Sequence, residues 1–119
     1  MTETISEFEF EVPIVSEANR REHWAKHTRR KNDQKLATLV AWRQHVGAGS
    51  QMPRPLKIVL TLRSSRKLDS DNLAGAFKGI RDQIAAELGT DDGDESVQYC
   101  YGWEKLSKRT TVARVEVVR

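Results

Sequence analysis

Leu73, Ala76, Phe77, Ile80, Ile84, Ala85 and Leu88 recur at i, i+3, i+4 and i+7 over four turns, the spacing of one apolar face of a helix. Gly89 stands where such a helix would stop, and Asp71 or Ser70 is suited to its N-cap. A stretch of alternating character lies on either side. Upstream, Leu56, Ile58, Leu60 and Leu62 alternate with Lys57, Val59 and Thr61. Downstream, Val97, Tyr99, Tyr101 and Trp103 alternate with Gln98, Cys100, Gly102 and Glu104. Period-two patterning predicts strands. The centre of the chain therefore reads strand, helix, strand.

The rest extends that plan. Phe8, Phe10 and Val12 alternate with glutamates and predict a first strand, ended by Pro13. From about Glu17 to Val46 there is neither proline nor glycine, which predicts one long helix, or two joined near Asn32. Its second half faces the core through Leu36, Leu39, Val40 and Val46, with Ala37 and Ala41 beside them. Trp24 and Trp42 read as packing residues, with base stacking the alternative for Trp24. Residues 47–55 form a loop, Arg63 to Lys67 an exposed basic turn, and Leu106 to Arg109 a polar turn. Thr110 to Val118 is a β-branched strand placed to form a hairpin with the strand before it. The expected fold is α+β: a small mixed β-sheet with helices packed on one face, one domain over residues 1–119.

No apolar run approaches the roughly 20 residues needed to cross a bilayer, so no membrane partner is expected. The N-terminus alternates acidic and apolar residues, unlike a signal or transit peptide. Cys100 is the single cysteine, which fits a reducing, cytoplasmic setting. Net charge is only +3, but it is unevenly spread. Between Arg20 and Lys35 seven basic residues (Arg20, Arg21, Lys26, Arg29, Arg30, Lys31, Lys35) face only Glu22 and Asp33. From Asp69 to Glu95 eight acidic residues face only Lys78 and Arg81. A basic arm and an acidic centre suit a phosphodiester held at a metal site; a solvated helix face is the plain alternative for the arm.

The acidic centre carries the chemistry. In an extended segment Asp69 and Asp71 point to the same side and can converge on one ion. Mg²⁺ takes one or two protein carboxylates with waters and substrate phosphate, and so held it can polarise a phosphoryl oxygen and generate hydroxide. Capping and turn formation account for one of the two aspartates equally well, and a solvated turn accounts for Asp91, Asp92 and Asp94. Lys78, seven residues after Asp71, shares its helical face, and Asp82 four residues on is spaced to pair with it. A calcium-sensor loop is disfavoured by Leu73-Ala74 where a ligand and glycine belong.

Asp69-Ser70-Asp71-Asn72-Leu73, the helix carrying Lys78 and Asp82, and the aspartates ahead of Val97 together resemble the RusA-type Holliday junction resolvases. The early segment Pro13 to Arg20 is also similar to the family's lead-in after its first strand. Two departures stand out. The family's lysine comes four residues after the second aspartate, where this chain has Gly75; Lys78 and Asp82 keep only their mutual spacing. For the third aspartate, counting back from Val97 selects Asp94, whereas a doubled pair selects Asp92.

The resemblance implies a RusA-like fold and a Mg²⁺-dependent endonuclease, with Mn²⁺ as a substitute, that resolves four-way DNA junctions in recombination and repair. It implies a homodimer, no small-molecule cofactor, and a bacterial or phage-infected cytoplasm. Asp69, Asp71 and Asp94 would be catalytic, Asp92 a further metal ligand, and Lys78 would stabilise developing charge. Arg20, Arg21, Arg29, Arg30, Lys31, Arg66 and Lys67 would contact DNA phosphates. The alternative is a branched-DNA-binding protein of the same fold that is inactive or differs in specificity.

Overall fold

The computed structural model describes residues 3–12, 24–47, 52, 54–90, 94–108 and 110–119, with the backbone alone for residues 24–27, 70 and 71. Strand β2 (Leu56–Ser64) sits inside the sheet, and its alternation has the expected result: Leu56, Ile58, Leu60 and Leu62 are fully buried. Each such side chain contributes roughly 1.5–3 kcal/mol relative to its exposed state. Alternate residues of β4 (Val112–Val118) do the same through Ala113, Val115 and Val117. Strand β1 (Thr4–Glu11) adds Phe8, and β3 (Val97–Lys105) adds Val97 with Tyr99, Tyr101 and Trp103 half-buried. Register aligns these in rows, such as Phe8–Val115–Leu60–Tyr101.

The four-stranded mixed sheet has the order β1-β4-β2-β3, with β2 and β3 parallel and the other pairs antiparallel. The expected hairpin between the last two strands does not form. Strand β2 lies between them, and the connection after Lys105 passes over its end, where Leu106 donates its backbone N–H to the Ser64 carbonyl at 2.9 Å. The composition of the two strands explains the exchange. The fully buried residues of β4 suit an interior position, whereas β3, with tyrosines and a tryptophan that keep a wet edge, suits an outer one. The opposite face of the sheet carries charge. Arg63 pairs with Glu9 at 3.2 Å, and Arg114 pairs with Glu116 at 3.3 Å and with Glu104.

Helix α1 (Trp24–His45) is unbroken at Asn32; the predicted segment from 17 to 23 lies outside the described residues. Its buried face is the predicted one only in part: Ala41 and Trp42 are buried as expected, and Ala37 and Val46 pack half-buried against the core, but the face is rotated from Leu36 and Val40. Gln34, Thr38, Ala41 and Trp42 point inward, whereas Leu36 and Val40 are 60% and 48% exposed. Tertiary partners decide this. Trp42 meets Phe8 edge-on with ring centroids 6.1 Å apart, and Thr38 satisfies its hydroxyl by donating to the Gln34 carbonyl at 2.7 Å, so a polar residue is buried without an orphaned donor.

The central helix is two segments, α2 (Ser70–Ala76) and α3 (Lys78–Leu88), meeting at Phe77. Every apolar residue predicted to face inward is buried, and Gly89 closes α3 in the left-handed conformation, φ 69°. The N-cap is Asp69, one residue before Ser70 and two before Asp71, the predicted positions. Arg63 and Ser64, expected in a turn, complete β2. Among the described residues no helix is long and apolar enough to cross a membrane.

Candidate functional site

The segment from Ser64 to Asp69 is pinned at the C-terminal ends of β2 and β3. Trp103 donates its indole N–H to Ser64 Oγ at 3.0 Å and to the Arg66 carbonyl at 3.2 Å; Ser64 donates in turn to that carbonyl at 2.6 Å. The half-buried indole on an edge strand thus holds an otherwise exposed turn. Three residues later Asp69 begins α2 through its backbone: its carbonyl accepts from the N–H groups of Asn72 and Leu73 at 3.0 and 2.9 Å.

The Asp69 side chain makes no capping hydrogen bond and is exposed. Capping therefore does not occupy this carboxylate, although the residue holds the capping position. Asp71 is the second residue of α2, two positions after Asp69, where the helix dipole favours negative charge. Arg66 and Lys67, both exposed, lie on the turn that leads into the pair.

Lys78 opens α3 and is exposed beside a shallow groove of about 230 Å³ lined by Ala74, Gly75, Lys78, Arg81 and Asp82. The expected partner of Lys78 is used elsewhere. Asp82 pairs with Lys31 of α1 at 3.7 Å, which ties α1 to α3 and turns a predicted DNA contact inward. Arg81 escaped the sequence reading. Its guanidinium lies 4.6 Å above the centre of the Tyr99 ring and donates to the Tyr101 hydroxyl at 3.1 Å, so it anchors this end of α3 to the sheet. The half-buried Tyr99 and Tyr101 on an edge strand were the available signal.

Asp94 lies at the other end of the strand pair. It precedes β3, and the N-terminus of β3 lies beside that of β2 through the Leu56–Val97 register. Its Oδ1 accepts from the backbone N–H and hydroxyl of Ser96 at 2.9 and 2.5 Å, and Oδ2 accepts from Arg54 at 3.0 Å. These two Ser96 hydrogen bonds, reinforced by the Arg54 charge, hold the carboxyl below its ordinary value of 3.8. Arg54, a second residue the sequence reading missed, also donates to the Leu88 carbonyl at 2.8 Å.

Helices α2 and α3 carry the chain from the Asp69 end to this end, a helical rise of roughly 25 Å. Asp69 and Asp71 lie two positions apart on the backbone at the start of α2, and Asp94 lies at the other end of the strand pair. Among the described residues no three His, Cys, Asp or Glu side chains gather as a metal would require. Asp92, Arg20 and Arg21 lie outside the described residues. Arg29 is exposed and Arg30 half-buried on the first half of α1. No model of a known protein family matches the chain, and no curated protein matches it in sequence.

Proposed function

We propose that this chain is a Mg²⁺-dependent endonuclease of RusA type that acts on four-way DNA junctions. The observation that supports it most is the Asp69 carboxylate: exposed, unused by the helix it begins, and within three residues of Asp71 and of the cations Arg66 and Lys67. A carboxylate pair of this kind fits Mg²⁺, which keeps several waters and takes its remaining oxygens from a phosphate. When bound, the ion supplies charge neutralisation at the phosphoryl group and activation of water.

The side chains have separate tasks in this reading. Asp69 and Asp71 would hold the ion, which would supply charge neutralisation beside the DNA backbone. Arg66 and Lys67 bind flanking phosphates, which makes affinity steeply salt-dependent and nearly indifferent to sequence. Lys78, at the start of α3 and seven residues after Asp71, offsets charge that builds on the departing oxygen. Asp94 is about a helix length away in its own chain, so it joins this group only from a second copy. A two-fold homodimer also presents two equivalent sites to a nearly two-fold junction, which suits paired incision.

Incision of a synthetic four-way junction with Mg²⁺, beside Asp71→Asn and a matched linear duplex, tests the reading. Symmetric cuts in the junction alone, lost in the variant, are expected. Tight junction binding without cuts, at any Mg²⁺ or Mn²⁺ concentration, would overturn the enzyme and leave a structure-selective DNA binder.

A further inference from the structure

Strand β1 ends the sheet: β4 covers one of its edges, and among the described residues no strand pairs with the other. Val12 donates its backbone N–H to the Thr111 carbonyl at 3.1 Å. The alternation of an antiparallel ladder then turns the backbone groups of Glu7, Glu9 and Glu11 toward the open edge. Helix α1 packs on the same strand and leaves a groove of about 470 Å³ along it. Phe10 lines the groove from β1, and Leu36 and Val40, 60% and 48% exposed, line it from α1. Its two carboxylates are Glu9 and Asp33.

We propose that an extended segment of a partner protein, with basic and apolar residues in alternation, adds to this edge as a further strand and seats its apolar side chains in the groove. The two faces of β1 set that pattern. Phe8 is buried beneath α1 and Phe10 lines the groove, so side chains on that face of an added strand lie between sheet and helix and are apolar. Glu7, Glu9 and Glu11 are exposed on the other face, and the residues beside them are cationic, since opposite charges on neighbouring strands attract. Arg63 and Arg114 reach Glu9 and Glu7 from within the sheet, but Glu104 holds both guanidiniums and Glu116 holds Arg114 as well, so acidic charge stays in excess along the edge. The same glutamates disfavour other occupants. A DNA backbone would meet a row of carboxylates, and a second copy adding through its own β1 would set glutamate beside glutamate. Charge on an edge also discourages self-pairing, but that role leaves the two exposed aliphatic side chains beside it unexplained. In a strand addition, main-chain hydrogen bonds give affinity and alternate side chains give specificity, and both are provided for here. The argument uses nothing at the Asp69 end and stands or falls apart from the nuclease reading.

Titration of the full chain with the peptide acetyl-Lys-Val-Lys-Val-Lys-Val-Lys-amide, followed by backbone amide NMR and hydrogen exchange, tests this directly. Saturable one-to-one binding is expected. Exchange of the Glu7, Glu9 and Glu11 amides should slow about tenfold or more, because these N–H groups gain carbonyl partners. A peptide of the same composition with its lysines and valines in separate blocks should bind about tenfold more weakly or worse, and so should the alternating peptide to Leu36→Lys, which puts a cation in the groove. Thermal unfolding checks that the variant folds; should it not, Val40→Lys takes its place. Equal binding of the two peptides would reduce the contact to net charge, and binding that leaves the three amides unprotected would take it off the edge. Either result overturns the proposal. So does the absence of binding, or protection of those amides by duplex DNA or by concentrating the protein alone.

Discussion

Arg54 donates to the Asp94 carboxylate at 3.0 Å while its other terminal nitrogen donates to the Leu88 carbonyl at 2.8 Å. One guanidinium therefore closes the last turn of α3 and fixes the turn that starts β3. The Leu88 carbonyl is one of the groups a helix leaves without an internal partner at its end. Arg54→Ala removes both contacts and is expected to lower stability by about 1–2 kcal/mol, more than an exposed ion pair alone would. Urea unfolding of the two proteins at neutral pH measures it. Arg54→Lys should recover only part, since an ammonium does not reproduce the planar fork.

The same contact predicts an acid dependence. The Asp94 carboxyl titrates below 3.8 in the folded protein, through the two Ser96 hydrogen bonds first and Arg54 second. A depressed folded value stabilises the protein at every pH above the unfolded value. That contribution fades as pH falls below 3.8 and through the lower folded value. Asp94→Asn should therefore be less stable than wild type at neutral pH, and the gap should close on acidification. Unfolding midpoints from pH 7 to pH 2 for both proteins give the comparison. A constant gap would show that Asp94 contributes through shape and not through its charge.

Sequence patterning read the fold well where an element has one buried face and one packing partner. Strand β2 and the α2–α3 pair are such elements, and every apolar residue assigned inward there is inward. Helix α1 has two apolar stripes, one through Leu36 and Val40 and one through Ala41 and Trp42. Periodicity alone does not choose between them; contact with Phe8 and α3 does. The supposed hairpin followed chain order, but the pairing follows burial, which brings β4 inside and leaves β3 outermost. At the candidate site the helix start beside Asp69 was legible from local patterning, to within a residue or two. The role of Asp94 depends on Arg54, forty residues earlier, and the partner of Asp82 is Lys31 on another helix. Contacts at that separation leave no local pattern to read.

Gly79 marks a close approach of α3 to α1. A Cβ there would stand 2.7 Å from Gln34 Oε1 and 3.4 Å from Gln34 Cβ. Alanine in place of helical glycine gains about 1 kcal/mol in propensity. Displacing the amide of Gln34, only 5% exposed, costs about 1–3 kcal/mol. The second effect is larger, so Gly79→Ala should destabilise by about 1 kcal/mol. Gln34→Ala in the same chain removes the obstruction, and the double variant should be more stable than the sum of the singles. Chemical unfolding of all four proteins supplies the cycle.

Gly75 tests whether Lys78 has taken over a displaced position. The resemblance puts the lysine four residues after Asp71, where this chain has glycine, and a Cβ at Gly75 meets nothing within 4 Å. A side chain there is free of clashes and improves the propensity of an exposed helical position, so Gly75→Lys should raise stability by roughly 0.5–1 kcal/mol. It would also place an ammonium about one turn from Asp71, along the same groove as Lys78. If Lys78 offsets charge on the departing oxygen, Lys78→Ala should slow junction incision about 100-fold or more, in the range of losing one charge-stabilising donor. Adding Gly75→Lys to Lys78→Ala should recover much of that rate without changing junction affinity at fixed salt. Single-turnover cleavage separates rate from binding. Unchanged incision in Lys78→Ala would remove the lysine from the mechanism, and loss without recovery in the double variant would show that position 78, and not merely a nearby cation, is what the reaction uses.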